Sequence, residues 1–139
     1  KEWFMRASMF VIDKTGDYVV IIKRYKDGRE YHVVPGGKVV VGESVQHAAI
    51  REISEELDLN INESEIIGSL NGDDNVFFFA KTGYKQGGLS IHGEEKSRSN
   101  LDNVYQPIWI RISEISRLEI FPKFDKNRFS KIVGDKCNE

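Results

Sequence analysis

The feature that most constrains this chain is a helical period with charge set where apolar residues belong. After Gly42, the residues Val45, Ala49, Ile53 and Leu57 recur every four positions, with Ala48 on the adjoining row. This is the spacing of an amphipathic helix whose apolar stripe faces a core. Ser44 stands where an N-cap belongs. At about 100° per residue with Val45 at zero, the apolar residues span an arc from roughly 300° through zero to roughly 120°. Glu52 and Glu56 fall inside it, at roughly 340° and 20°, and Glu55 sits beside it at roughly 280°.

A pair of glutamates on a helix usually belongs to a solvated face, and Arg51 to Glu55 has the i,i+4 spacing of an exposed ion pair. The wheel argues against that reading for Glu52 and Glu56. Carboxylates gathered on one side of a helix repel one another and resist dehydration, so they need an arginine, protons or a metal ion. One arginine cannot balance three glutamates. Oxygen ligands at i, i+3 and i+4 suit a hard divalent cation such as Mg²⁺ or Mn²⁺. His47, on the same helix, is a poor candidate ligand beside them.

Around this helix the chain reads as strands. Phe4 to Ile12 and Tyr18 to Arg24 are β-branched, aromatic or otherwise apolar, with the turn-forming DKTGD between them, which predicts a β-hairpin. A second turn at Lys26-Asp27-Gly28-Arg29 precedes a short strand from Tyr31 to Val34, stopped by Pro35, after which Gly36 and Gly37 free the backbone. Glu65 to Leu70, Val76 to Lys81 and Val104 to Ile112 predict three more strands, making a mixed sheet. Beyond Pro122, the residues Phe124, Phe129 and Ile132 line one face of a closing helix. The polar stretch from Lys85 to Asn103 is longer than a compact domain usually spends on a connection, which marks it as functional or disordered.

A length of 139 residues fits one domain over residues 1–139 with a single core. The net charge of −2 and pI of about 6.0 give no basic footprint for gripping nucleic acid, and an anionic substrate would need a local attractor. Cys137 is the single cysteine, so no intramolecular disulfide forms, and the cytoplasm is the expected location. No apolar run approaches the roughly 18 residues that span a bilayer. The segment KEWFMRASMF does not read as a targeting signal, and no membrane partner is expected.

Gly37, five residues, Glu43, seven residues and then Arg51-Glu52-Ile53-Ser54-Glu55-Glu56-Leu57-Asp58-Leu59 resembles the Nudix box, G-x5-E-x7-R-E-U-x-E-E-x-G-U with U apolar. The preceding Pro35 to Lys38, PGGK, also fits that family. The resemblance covers 23 residues, and its fixed charges and spacings make it far more specific than a lone glycine pattern. It implies an α/β fold, a Nudix-type α/β/α sandwich with a mixed β-sheet. It also implies hydrolysis of a nucleoside diphosphate linked to another group, by attack of water on a phosphorus with divalent metal holding the diphosphate.

By the same resemblance, Glu52, Glu55 and Glu56 bind Mg²⁺ or Mn²⁺ with help from the Gly36 carbonyl, Arg51 holds the glutamates in place, and Gly37 and Glu43 support the site. The family's general base is not fixed within the box. A box glutamate is one candidate, and Glu94 or Glu95 in the long polar stretch is another. The partner is a small nucleotide-type substrate that the sequence does not specify, and a homodimer is compatible with the family. Asp58 replaces the usual late glycine at a helix end that often turns through positive φ, a conformation aspartate tolerates.

Two other readings stand beside the hydrolase. One is a Nudix-like nucleotide-binding or sensor module without turnover. The other is an RNA-end hydrolase, which the scattered basic residues disfavour. Lys23, Arg24, Lys26 and Arg29 form the best local basic group and read as a solvated hairpin end that could instead meet a substrate phosphate. Tyr25, Tyr31, Phe77, Phe79 and Trp109 are candidates for stacking on a base, although strand aromatics are mostly core. His32 and His92 are uncommitted.

Overall fold

A computed structural model describes residues 5–137, apart from the side chains of residues 94, 95, 97, 136 and 137. Its central strand, β1 (Arg6–Ile12), is apolar almost throughout because both of its faces are covered. Ala7, Met9 and Val11 point to one side, and Phe10 and Ile12 to the other. Strand β2 (Tyr18–Lys26) returns after a turn built on the buried Asp13. The Asp13 carboxylate accepts hydrogen bonds from Thr15 Oγ1 and from the backbone N–H groups of Gly16, Asp17 and Tyr18, at 2.9 to 3.2 Å. This is the predicted hairpin, but β1 and β2 pair only at Ile12 and Val19.

Beyond that point the two strands part, and β4 (Gly36–Lys38) pairs antiparallel with the start of β1. Strand β2 runs on between β3 (Arg29–Val33) and β7 (Asn103–Arg111), antiparallel to both. On the far side of β1 lies β6 (Asn75–Lys81) in parallel, followed by β5 (Ile66–Gly72), and β8 (Ile120–Phe121) pairs in parallel with β3. The six predicted strands all appear, with ends shifted by a residue or two, apart from the predicted start at Phe4, which lies outside the described residues. Strands β4 and β8, and 3₁₀ turns at Glu63–Glu65 and Ile112–Arg117, were not expected. Segments this short carry no period to read.

Helix α1 (Val45–Leu57) covers one face of the sheet and starts at Ser44, whose Oγ accepts from the His47 N–H at 3.1 Å. Its Ala48, Ala49, Ile53 and Leu57 pack with Met9, Val11, Val20 and Phe78. Helix α3 (Lys126–Cys137) covers the other face. Phe129 sits 4.8 Å from Phe10 ring to ring, and Phe124, just before the helix, packs edge-on against Phe10 at 5.1 Å. The result is an α/β/α sandwich with a mixed sheet. The long polar stretch contains a short helix, α2 (Gly93–Arg98), and is tied to α1 where the His92 N–H donates to the Glu56 carbonyl at 2.7 Å. Among the described residues no helix is long and apolar enough to cross a membrane.

Candidate functional site

The site lies where β1 and β2 part and α1 crosses β4. Gly36 and Gly37 are there because no side chain fits. A Cβ on Gly36 would come within 2.3 Å of the Ala7 carbonyl oxygen and 2.6 Å of Ser8 Cα, and one on Gly37 would come within 2.3 Å of Glu52 Cδ. Gly36 thus brings the β4 backbone against β1, and Gly37 brings it against the Glu52 carboxylate. They form strand β4 rather than the loose connection expected.

Arg51 is the hub of the acidic side chains. Its Nε donates to Glu43 Oε2 at 2.7 Å and its Nη2 to Glu43 Oε1 at 3.0 Å, while its Nη1 donates to Glu52 Oε1 at 3.0 Å and to both Glu55 oxygens at 3.3 Å. Nη2 also reaches the Lys38 carbonyl at 3.1 Å, which fastens α1 to β4. Planar guanidinium geometry makes this many directed bonds possible, where a lysine would offer a point charge. The hydrogen bonds from Arg51, then the Val40 N–H, lower the Glu43 pKa to about 2. Those carboxylates in turn raise the pKa of Arg51.

The glutamates divide as the helical wheel predicts. Glu56 is buried at 5% exposure, Glu52 is largely covered, and the Glu55 side chain is 58% exposed. Glu56 and Gly36 line a cavity of about 200 Å³ together with Arg6, Arg24, Arg98, Tyr105 and neighbouring apolar residues. Of these, Arg6, Arg98 and Tyr105 carry no signal in the local sequence. Glu94 and Glu95 lie on α2, which the His92 bond brings to the C-terminal end of α1, but their side chains fall outside the described residues.

Other candidates are dispersed. Phe77 and Phe79 are fully buried in the core under α3. Trp109 packs on the α1 side of the sheet and lines a separate cavity of about 270 Å³ with Leu57, Tyr84 and His92. Tyr25 is exposed, and His47 pairs with Glu63 on the surface at 2.5 Å. His32 lies on β3, where burial lowers its pKa. Asp58 adopts the left-handed conformation at the end of α1, with φ 55° and ψ 35°, and its N–H reaches the Ser54 carbonyl at 3.0 Å.

The donor set suits a hard divalent cation, since carboxylate and carbonyl oxygens are what Mg²⁺ and Mn²⁺ take. Among the described residues, no three acidic, histidine or cysteine side chains converge as a ready-made cage.

The chain belongs to the Nudix family: the model of the NUDIX domain matches residues 3–130. Nudix hydrolases act on phosphoric anhydride bonds, and the mixed sheet between helices is their fold. Among solved structures, a MutT studied from Aliivibrio salmonicida and Vibrio cholerae is similar at 22% identity, over 96% of this chain and 99% of that one, with a TM-score of 0.64. The MutT protein of Methanosarcina mazei is similar at 16% identity, over 97% and 96%, with a TM-score of 0.64. A bifunctional NMN adenylyltransferase/ADP ribose pyrophosphatase from Francisella tularensis matches at 18% identity over 99% of this chain and 42% of that one, with a TM-score of 0.62. No curated protein matches significantly.

Proposed function

We propose that this protein is a Mg²⁺- or Mn²⁺-dependent pyrophosphohydrolase that cleaves a small nucleoside diphosphate-linked substrate. The observation that carries the reading is the placement of Glu52, Glu55 and Glu56 on one helix, with Glu52 against Gly37, Glu56 in one cavity wall with Gly36, and Arg51 bonded to Glu43, Glu52 and Glu55. A bound divalent ion would neutralise the diphosphate and lower the pKa of a coordinated water. Glu52, Glu55, Glu56 and the Gly36 carbonyl are the groups we assign to hold it.

Arg51 fixes the orientation of Glu52 and Glu55, and Glu43 fixes Arg51, so the carboxylates meet the substrate already positioned. Water oxygen attacks one phosphorus, the anhydride P–O bond breaks, and the water proton passes to a carboxylate. We assign that proton to Glu94 or Glu95, supported by the tie of the α2 segment to the C-terminal end of α1. The cytoplasm, rich in nucleotides and Mg²⁺, is the setting this chemistry fits.

The test is a hydrolysis panel of nucleoside triphosphates, dinucleoside polyphosphates, nucleotide sugars and ADP-ribose, with Mg²⁺ or Mn²⁺ and with chelator. Metal-dependent release of product from at least one class is expected. Tight nucleotide binding with no turnover of any class would replace the hydrolase by a sensor.

A further inference from the structure

Three guanidinium groups, those of Arg6, Arg24 and Arg98, line the cavity beside Glu56. Arg6 at the start of β1 and Arg24 near the end of β2 both line it. Neither forms an ion pair with a carboxylate among the described residues, whereas Lys23 and Arg29, close to Arg24 in sequence, pair with Glu30 and Glu119. Arg24 is held without an acid. Its Nη2 donates to Asn103 Oδ1 at 2.7 Å, and its guanidinium carbon lies 3.6 Å from the centroid of the Tyr105 ring and 5.6 Å from that of Tyr31. Its Nε is buried with no hydrogen-bond partner among the described residues.

Partly burying a cation costs desolvation energy that an arriving anion repays. Because Asn103 and the two tyrosines already fix the side chain, an anion loses little to ordering it. The guanidinium fork matches phosphate oxygens better than any other common anion-binding side chain. A cavity of about 200 Å³ lies below the roughly 300–1,000 Å³ of a site that encloses a whole small molecule. It therefore suits one group of a substrate, and its wall includes Gly36 and Glu56, on the side of the acidic cluster.

We infer that Arg6 and Arg24 form a seat for a phosphate group beyond the hydrolysed linkage, and that they select nucleotides with three or more phosphates over diphosphates joined to a neutral sugar. This selection rests on the hydrolase reading; the anion seat itself does not. Each phosphate past the diphosphate adds negative charge, and the net charge of −2 provides no general attraction for it.

The experiment compares wild type with Arg24→Gln and, as an independent variant, Arg6→Gln. One readout is the rise in Tm caused by inorganic tripolyphosphate without divalent metal, where no turnover occurs. The other is the ratio of kcat/KM for a nucleoside triphosphate to that for a nucleotide sugar, with Mg²⁺. Tripolyphosphate is expected to stabilise wild type and to lose most of that effect in both variants. The kcat/KM ratio is expected to fall about 10- to 100-fold in each, the size of a lost charge-assisted hydrogen bond. Equal stabilisation of all three proteins, none of wild type, or an unchanged ratio overturns the inference. Stabilisation confined to wild type with no compound hydrolysed keeps the seat and removes the hydrolase reading, so the two failures are distinct.

Discussion

Arg51 grips Glu43 across the turn into α1 with two hydrogen bonds, 2.7 Å from Nε and 3.0 Å from Nη2. These bonds hold the Glu43 pKa at about 2, below its ordinary 4.5. A group whose pKa is lowered by folding contributes stability that is complete above its unfolded pKa and lost as pH falls through its folded one. The advantage of wild type over Glu43→Gln in urea unfolding should therefore be constant above about pH 5 and shrink steadily toward about pH 2. An advantage of the same size at about pH 6 and about pH 3 would contradict this assignment.

Gly36 and Gly37 are adjacent, yet alanine at each should fail differently. At Gly36 the added Cβ meets backbone, the Ala7 carbonyl and Ser8 Cα, which cannot swing aside. Gly36→Ala should cost about 1–3 kcal/mol of stability, as overpacking does. At Gly37 the nearest atoms it meets are the carboxyl end of Glu52, a side chain that can rotate. Gly37→Ala should keep its Tm near wild type while losing hydrolysis, because the evicted carboxylate is one we assign to metal. Thermal melts and the hydrolysis assay together check this pair, and a folded, fully active Gly37→Ala would remove Glu52 from the site.

Helix α1 was legible because two signals coincide: a four-residue apolar period and glutamates lying on it. The buried Glu56 and largely covered Glu52, against the exposed Glu55, follow that wheel. Strand β4 was not legible, since GGK has neither alternation nor β-branched residues and pairs only because it fits against Ala7 and Ser8. Arg24 was grouped with its basic neighbours as a solvated hairpin end. Its parity with Val20 and Ile22 on β2 already placed it on an inward face, and that signal was available. Tyr105 reaches the same cavity because the pairing of β2 with β7 sets it opposite Arg24, a contact between distant segments that no local pattern encodes.

Asp58 holds the left-handed turn that ends α1, at φ 55°. A non-glycine residue pays a steric cost there that glycine does not, partly offset by glycine's larger entropy loss on folding. Asp58→Gly, which restores the usual residue of the Nudix box, should raise stability by about 0.5–1 kcal/mol. Thermal unfolding would show it as a small rise in Tm with kcat unchanged. A lower Tm would mean that the Asp58 side chain itself stabilises the helix end.

Removal of single charges from the acidic cluster should separate metal binding from bracing. Glu56→Gln and Glu52→Gln each delete an oxygen charge assigned to the metal while nearly preserving shape, so kcat should fall on the order of 10²-fold, as when one electrostatic contact to a transition state is lost. The Mg²⁺ concentration giving half-maximal rate should rise in both. Arg51→Lys keeps the positive charge but cannot bridge Glu43, Glu52 and Glu55 at once. It should lower kcat while changing the Mg²⁺ midpoint less than Glu56→Gln does. Steady-state rates across a Mg²⁺ titration decide the matter, and a Glu56→Gln variant with wild-type kcat and wild-type metal midpoint would exclude Glu56 as a ligand.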